Sequence, residues 1–408
     1  EKYITIFQNI FKCFIFMILS GFEKRWRKDA TFFFAVFFLI TILNIDLFAQ
    51  SETIDSKLKF TGDFRFRIEE DWDSRNSDGT YLDNRSRLRY RIRFGFNYQL
   101  TDWASFGMRL RTGYVAKQQD PHLTLGDGFG EFSDLPINFE KVYFKFQYQE
   151  FSGWLGKNTF PFEKQNELFW SDNVYPEGIF LNGKFRFENK YLESISIRGG
   201  HFITRSKGKS FGEDNYFQGL QLVTTHFQNR LQLFPSFYYF NNVPNIPDGQ
   251  GTYSLKYSII HFGGNYVLFQ KPNINIGLDM YKNISDLHKN DSIPRNLKKQ
   301  NKGIVANVGI GNMNEPKDWT VQLYYTNLER YAVIDFYAQN DWTRWDYSNQ
   351  GSPDGRLTNF KGLELMGGYV INKYMKLKVR YFMVDQIIPY GEFGETGNRI
   401  RLDLDVGF

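Results

Sequence analysis

The stretch 85–100 has the strictest alternation of side-chain character in the chain. Every even position from 88 to 100 is leucine, isoleucine, phenylalanine or tyrosine, and every odd position from 85 to 93 is arginine. A period of two is that of a β-strand, whose successive side chains point to opposite faces. One face of this strand is therefore wholly apolar, and the other carries a row of arginines.

The same alternation recurs along the chain as far as its last residue. Each segment sets an apolar or aromatic face against a polar one, although Pro235 weakens one segment because proline lacks the N–H that a sheet ladder needs. We predict strands at 57–72, 84–100, 103–115, 138–151, 154–160, 178–188, 191–203, 214–228, 230–241, 253–270, 273–283, 301–312, 318–328, 357–372, 374–387 and 397–408.

The predicted connections alternate between short and long. Short turns such as 101–102 and 152–153 are followed by long loops such as 116–137 and 161–177. Outer-membrane barrels have short periplasmic turns, long extracellular loops, apolar side chains facing lipid and polar ones facing a wet interior. The sequence therefore predicts an all-β transmembrane antiparallel barrel of about sixteen strands, with fourteen to eighteen as the range.

The composition agrees with this class. The mean hydropathy of −0.47 is that of a water-soluble protein, but half of each barrel strand is polar, so barrels share this value. Phenylalanine alone supplies 43 residues, as expected where aromatic rings cover a lipid-facing surface. Aromatic residues beside the short turns are predicted to form an interfacial girdle: Trp103, Trp154, Tyr191, Trp319 and Tyr374.

The N-terminal residues 1–49 are predicted to be a targeting segment. A basic stretch at 23–29 precedes the apolar run 31–48, and Ala49 is a small residue at the expected cleavage site, as in secretory signal peptides. Residues 1–16 are interpreted as upstream translation, with Met17 as the start; a true N-terminal membrane anchor is the alternative. Residues 50–56 would be a short periplasmic leader and 57–408 the barrel.

Basic residues of the first strands share the polar face, which is the lumen of a barrel. We call this set the basic wall: Arg65, Arg67, Arg87, Arg89, Arg91, Arg93, Arg109, Arg111, Lys141 and Lys145. One interpretation is a field that concentrates anions and orients polar solutes in a narrow pore. The other is an internal ladder in which Asp63, Glu69 and acidic loop residues neutralise the arginines. The two interpretations are compatible.

The third long loop, 161–177, is acidic and aromatic. Its charged and aromatic residues make it the predicted constriction loop: Glu163, Lys164, Glu167, Trp170, Asp172 and Glu177. At this point the sequence resembles bacterial porins, in which the third extracellular loop folds into the lumen and its carboxylates face a row of arginines. The alternative is a loop that only caps the barrel mouth.

Three motifs narrow the resemblance. The arginine-rich opening, the segment GKNTFPF at 156–162 and the segment WSDNVYPEG at 170–178 are similar to the putative-porin family of Gram-negative bacteria, and the ending FAQ at 48–50 suggests a Bacteroidetes-type source. The resemblance implies that Glu163, Glu167 and Asp172 form the acidic side of the constriction. It implies that Arg65, Arg89, Arg91 and Arg109 form the basic side.

The last predicted strand ends in an aromatic residue. An amphipathic final strand with Phe408 at its end resembles the signal by which the outer-membrane barrel assembly machinery recognises its substrates. That machinery and the lipid of the outer membrane are therefore expected partners. The sequence does not decide whether the barrel forms a homotrimer. A trimer needs an apolar contact wall, but every strand already has an apolar outer face, so no strand is marked as that wall.

The sequence gives no support for an enzyme. Its histidines lack metal-ligand spacing, His261 and Ser258 have the wrong parity for a pair, and no glycine-rich phosphate loop opens a helix, so no metal, cofactor or nucleic acid is expected. The predicted function is passive diffusion of small polar or anionic solutes. The alternative is a plugged barrel that acts as a surface-binding or structural protein, with Trp342, Trp345 and Tyr347 of a long loop available to stack on sugar rings.

Overall fold

The computed structural model describes residues 57–115, 118–126, 134–208, 210–245, 253–342 and 358–407. The predicted signal peptide, the leader 50–56 and Phe408 lie outside these residues. Within the described part of the chain, no helix is long and apolar enough to cross a membrane.

Strands form almost all of the regular structure. Their bounds are β1 (Leu58–Arg75), β2 (Arg85–Thr101), β3 (Ala104–Thr112), β4 (Leu123–Thr124), β5 (Ile137–Tyr148), β6 (Phe151–Lys157), β7 (Glu177–Arg186), β8 (Ser194–Arg205), β9 (Asn215–His226), β10 (Leu231–Leu233), β11 (Ser236–Pro244), β12 (Ser254–Gln270), β13 (Asn273–Asn283), β14 (Lys302–Gly311), β15 (Trp319–Leu328), β16 (Phe360–Asn372), β17 (Met375–Gln386) and β18 (Thr396–Gly407). Three short 3₁₀ turns accompany them, at Phe211–Glu213, Leu287–Lys289 and Asp335–Tyr337.

These segments make one closed antiparallel barrel of sixteen strands, which confirms the predicted fold class. β10 and β11 both pair with β9 and β12 and together act as one strand of the wall, and β4 is a two-residue addition to β2 inside a long loop. Pairing of β1 with β18 closes the barrel. Short and long connections alternate as the sequence predicts.

The interruption between β10 and β11 falls at Phe234 and Pro235. The Pro235 carbonyl still accepts a hydrogen bond from the Leu222 N–H at 3.0 Å, and the Phe234 N–H donates to the Gly263 carbonyl at 2.8 Å. Proline has no N–H to continue the ladder, so the hydrogen bonding is interrupted here, but the register with β9 and β12 is the same on both sides. The Phe234 ring is fully buried.

The outer face is apolar on every side. Ile92, Leu220, Val321 and Val379 are examples from four parts of the wall, each more than a third exposed in the isolated chain. Apolar side chains on this face are the surface that lipid covers in a transmembrane barrel.

The prediction of the girdle is wrong for one of its five residues, Trp154. Trp103, Tyr191, Trp319 and Tyr374 are each at least half exposed beside short turns, but Trp154 is only 6% exposed. Its ring lies inside the barrel against Phe180 and Phe202, with centroids 6.1 and 5.7 Å away.

The predicted strand 154–160 also ends early, at Lys157. Beyond it the chain leaves the wall, and Phe160 and Phe162 turn into the barrel interior, where both are buried. Burial of two aromatic rings in an apolar cluster outweighs the ladder hydrogen bonds that three more strand residues would make.

The closing seam pairs opposite charges along the inner face. Reading along β1, Arg65 lies opposite Asp405, Arg67 opposite Asp403, Glu69 opposite Arg401 and Asp71 opposite Arg399. Directly opposed side chains of opposite charge stabilise an antiparallel pair, whereas like charges destabilise it. The seam therefore has one register in which every charged pair is attractive.

Candidate functional site

The arginines of β1 and β2 lie on the inner face of the barrel. Arg67, Arg89 and Arg91 are 3–4% exposed, whereas Leu88 and Ile92, which alternate with them, are 44–45% exposed. The strand alternation thus separates the two faces as the sequence predicts.

Most of these arginines are paired with carboxylates. Arg91 and Arg93 both donate to Asp63 at 2.7 Å, and Arg67 donates through two nitrogens to Asp403 at 2.6 and 2.8 Å. Three further pairs join Arg65 to Asp405, Arg87 to Glu69 and Arg89 to Asp120. The part of the basic wall on β1 and β2 therefore contains a ladder of ion pairs, as the second interpretation describes, and the two interpretations stay compatible.

Two of the ladder's acids come from the last strand. Asp403 and Asp405 of β18 pair with Arg67 and Arg65 across the seam. The sequence contains the signal for this, because in any closed barrel the last strand must pair with the first. The charged residues at alternate positions 399–405 could therefore be assigned to β1 as their partner strand.

The basic residues of β3 and β5 have different partners. Arg109 pairs with Glu140 and donates to the Tyr175 hydroxyl at 2.7 Å. Arg111 donates to the carbonyl oxygens of Thr112 and Tyr114, and Lys141 donates to the Thr159 hydroxyl. Lys145 is exposed in β5. Burial, with Glu140 nearby, raises the pKa of Tyr175 to about 12. The Tyr175 hydroxyl therefore stays protonated beside two cations.

The loop between β3 and β5 adds an acid–base pair, in which His122 is buried and Asp120 is half-buried. Arg89 donates to Asp120 at 2.6 Å, and the His122 Nδ1 lies 3.5 Å from Asp120. Burial lowers the pKa of His122 well below its usual value, and the charge of Arg67 lowers it further. Burial would raise the pKa of Asp120, but the hydrogen bond from His122 and the charge of Arg89 hold that pKa below its usual value. At neutral pH the pair is a neutral imidazole and a carboxylate.

The connection between β6 and β7, residues 158–176, lies inside the barrel; we call it loop 3. Phe162 contacts Tyr238 and Phe217 of the inner wall, and a Cβ atom at Gly219 would collide with the Phe162 ring. Trp170 stacks on Phe160 at 4.8 Å. Loop 3 therefore does not cap the barrel mouth; its aromatic side packs against the inner face of β8, β9 and β11–β13.

These rings form one buried cluster, which we call the aromatic core. Its principal members are Trp154, Phe160, Phe162, Phe169, Trp170, Phe202, Phe217, Tyr238, Phe240 and Tyr281. Aromatic pairs at centroid distances of 4.5–7 Å contribute beyond their buried area, so the cluster holds loop 3 firmly to one side of the lumen.

Polar contacts fix the middle of loop 3. The Gln165 N–H donates to Asp279 at 2.7 Å, and its side-chain amide donates to the Gly264 carbonyl at 2.8 Å. The Glu163 N–H donates to the Gln221 side chain at 2.9 Å. Gly277 lies directly beneath Gln165, in a space that a side chain would fill.

Asp279 belongs to a serine–histidine–aspartate chain that sequence reasoning missed. His261 lies 2.9 Å from Asp279 and 3.2 Å from the Ser236 hydroxyl, which donates to the Phe234 carbonyl. Ser236 and His261 are directly opposed on neighbouring strands. His261 and Asp279 are at most 1% exposed and Ser236 only 8%, so the chain anchors loop 3 beneath aromatic rings and has no access for a substrate.

The acidic residues predicted for the constriction separate into two groups. Glu163 pairs with Arg198 on β8 and Glu177 with Lys157 on β6, both close to the wall that carries loop 3. Glu167 caps the Asp172 N–H at 2.8 Å. Glu167 and Asp172 form the second group, and the Asp172 carboxylate accepts a hydrogen bond from Lys164 at 2.6 Å.

A cavity of about 410 Å³ separates loop 3 from the charged strands. Arg65, Arg91 and Arg93 line it, but Arg89 and Arg109 do not. Loop 3 contributes 164–167 and 172–173, and the facing wall also contributes Tyr324, Glu364, Met366, Lys378, Arg380 and Asp403.

Lys378 and Arg380 of β17 were not among the predicted site residues. Arg380 donates to Glu364 at 2.6 Å, and Lys378 lies 3.5 Å from Asp405. Their strand carries cations at alternate positions 376, 378 and 380, the same signal that identified the first strands. They lie beside β18 and β1 because the barrel closes there.

Trp342, which was expected to be free for stacking on sugars, is 3% exposed and packs on Phe360 and Phe382. Trp345 and Tyr347 lie outside the described residues. Among the described residues, no group of three or more histidine, cysteine or acidic side chains is arranged to hold a metal ion.

A sixteen-stranded antiparallel barrel with an apolar exterior, a charged interior and an infolded third loop has the architecture of an outer-membrane porin channel. The chain belongs to the family described as "Putative porin", whose model matches residues 80–258 and 254–405. This confirms the family that its motifs indicated. A search of curated proteins finds no match.

Solved structures of low identity share the fold. OprB of Pseudomonas putida, in a high-pH structure, is 14% identical, with 88% of this chain and 96% of that chain covered and a TM-score of 0.53. OmpF of Salmonella typhi, in complex with daunomycin, is 14% identical, with 86% and 97% covered and a TM-score of 0.50. The outer membrane channel DcaP of Acinetobacter baumannii is 12% identical, with 86% and 97% covered and a TM-score of 0.50.

Proposed function

We propose that this porin lets small polar and charged solutes diffuse passively through the space between the basic wall and loop 3. The observation that carries the proposal is the cavity of about 410 Å³, which has strand cations on one side and the acidic residues of loop 3 on the other. Size and lining charge decide what passes such a constriction, and no chemical step is needed.

The charge of the lining supports a modest preference for anions. Six cationic residues line the cavity, against four acidic ones (Glu167, Asp172, Glu364 and Asp403). Because most of the cations are paired, the field is mainly that of oriented ion pairs across the passage. Such a field aligns dipolar solutes and raises the local concentration of anions.

The test is single-channel recording in a planar bilayer, with the reversal potential measured in a salt gradient. We expect a stable conductance and an anion-selective reversal potential. Replacing Arg91 and Arg93 together by glutamine should lower the anion preference. Arg295→Gln, in an exposed loop, is the matched control and should change nothing.

An unchanged reversal potential in the Arg91/Arg93 variant would reject the assigned role of the wall. A barrel that assembles but carries no current would favour the second candidate function, a plugged surface-binding or structural protein. The aromatic core favours that candidate, since rings such as Phe217 and Tyr238 fill one side of the interior with no exposed surface.

The proposal includes the route to the membrane. Residues 1–49 would direct export and be removed, and the barrel assembly machinery would recognise the final strand with Phe408. Mass spectrometry of the purified protein should then give an N-terminus at or near Gln50. A chain that retains residues 17–49 would support the membrane-anchor alternative.

The oligomeric state needs a separate test. Cross-linking in the membrane would show whether the barrels associate as trimers.

A further inference from the structure

A second loop enters the barrel interior, between β15 and β16. Its described part is 329–342, which we call the inner strap. Ala332, Val333, Ile334 and Ala338 are at most 2% exposed, so the strap is buried along most of its length. Apolar side chains at this position fill the interior and do not face lipid or the external solvent.

The strap is bound to loop 3 through its residues 337 and 339. The Ser171 N–H donates to the Tyr337 carbonyl at 2.7 Å, and the Gln339 N–H donates to the Glu167 carbonyl at 2.9 Å. The Tyr337 ring stacks on Trp170 at a centroid distance of 4.4 Å. The two inward loops thus form one packed unit.

At residues 340 and 341, directly after these contacts, the strap reaches the charged side of the barrel. Asp341 forms ion pairs with Arg401 of β18 and, at 3.2 Å, with Arg380 of β17. Arg399 donates to the carbonyl oxygens of Asn340 and Asp341 at 3.0 and 2.7 Å. One short segment therefore contacts three guanidinium groups.

Asp341 is the one carboxylate among these contacts that comes from a loop. Glu69, Asp71 and Glu364, which also pair with the three arginines, all belong to the barrel wall. Arg380 in turn lines the cavity. Loss of the Asp341 charge would leave each arginine at least one wall carboxylate, so folding should persist while the positive potential at the cavity rises.

We propose that Asp341 of the inner strap is a selectivity-determining residue, acting through Arg380 and Arg401 to limit anion preference. The inference rests on the proposed function, because selectivity can be defined only for a conducting channel. It adds to that function a residue that does not line the cavity.

The experiment compares reversal potentials of Asp341→Asn, Asp341→Glu and the full-length protein, each purified from outer membranes. Asp341→Asn should raise the anion-to-cation permeability ratio by about twofold or more. Asp341→Glu keeps the charge and should retain the original ratio. Asp286→Asn removes an equal charge from an exposed loop, where Asp286 pairs with Lys289, and should also leave the ratio unchanged.

A second measurement does not depend on the Asp341 variants folding. Cys13 is the only cysteine of the sequence and lies in the segment that the proposed cleavage removes, so the Asn340→Cys protein would carry a single thiol. This thiol would be treated with a positively or a negatively charged reagent. The two reagents should shift the permeability ratio in opposite directions. Identical ratios in all variants and after both reagents would overturn the inference while leaving a conducting porin, whereas a silent parent protein would instead reject the proposed function.

Discussion

The two sides of the barrel interior are built from different interactions. On one side, β17, β18, β1 and β2 carry alternating charges that pair between neighbouring strands, as Arg67 does with Asp403. On the other, β8, β9 and β11–β13 present rings and small residues that hold loop 3, as Tyr238 and Gly219 do with Phe162. The charged side lines the cavity, and the aromatic side fixes the position of its opposite boundary.

This difference teaches that the dimensions and the charge of the passage have separate origins. Packing of loop 3 against the aromatic core determines how wide the cavity is. The ion-pair ladder determines its field. Substitutions on the two sides should therefore be distinguishable by whether they change conductance or selectivity.

The largest effect is expected from Trp170→Ala. Trp170 is 2% exposed and packs between Phe160 and Tyr337, so its loss should weaken the attachment of loop 3 by about 4 kcal/mol. We expect a larger and noisier single-channel conductance with little change in selectivity. Trp103→Ala, on the exposed outer rim, is the control; equal conductance in the two variants would contradict a fixed loop 3.

The second largest effect is expected from the removal of a carboxylate on the charged side, by Glu69→Gln. Glu69 is fully buried and pairs with Arg87 and Arg401, so Glu69→Gln leaves buried cations short of a partner and should cost about 3 kcal/mol. The expected result is a lower temperature for loss of the folded band on unheated gels, with a shift of selectivity towards anions. Glu70→Gln, at the adjacent outward position, should behave as the parent.

Acidification should destabilise the loop that contains His122. Its folded pKa is lowered, so the folded state binds fewer protons than the unfolded state once the pH falls below about 6.5, and stability falls with the pH. Between pH 7 and pH 5 the loss should be at most about 2 kcal/mol. Asp120, with a lowered pKa, would add to the loss only at more acidic pH.

The measurement is the unfolding midpoint at both pH values for the parent and for His122→Gln. The variant should show a smaller pH dependence, whereas His288→Gln, which is exposed, should keep the full dependence. A parental pH dependence that survives in His122→Gln would assign the effect to other groups.

The smallest effect on stability is expected from Asp172→Asn. Its carboxylate pairs with Lys164 but its side chain is 65% exposed, so solvent screens the pair and the loss should be about 0.5 kcal/mol or less. Because Asp172 lines the cavity, the anion preference should nevertheless increase. A large loss of stability without any change in selectivity would contradict both expectations and would make Asp172 a structural residue.

The fold could be predicted because each strand carries its own two-residue alternation, which is a local property of the sequence. The same reasoning placed Trp154 in the outer girdle, since a position beside a turn does not reveal which face a tryptophan occupies. The ion-pair ladder was predicted in part. Asp63 and Glu69 were predicted as partners because they lie on the strand next to the arginines of β2. Asp403 was not predicted, because it becomes a neighbour of Arg67 only when the barrel closes.

The loops were the least predictable part. The composition of loop 3 suggested entry into the lumen, but its anchoring by Asp279 and His261 depends on residues about a hundred positions away. The contact of Asp341 with Arg380 and Arg401 likewise joins a loop to strands that no local pattern connects to it. Tertiary packing, and not local preference, determines these positions.

The order of charges along the seam has a consequence for biogenesis. β1 and β18 come from opposite ends of the barrel sequence, so their pairing joins the earliest and the latest strands to be synthesised. Sliding β18 by two residues, the smallest step that keeps its faces, would bring Glu69 opposite Asp403 in one direction or Arg67 opposite Arg401 in the other. A misaligned closure would thus meet electrostatic repulsion at these positions, so the order of charges favours the native register when the barrel closes.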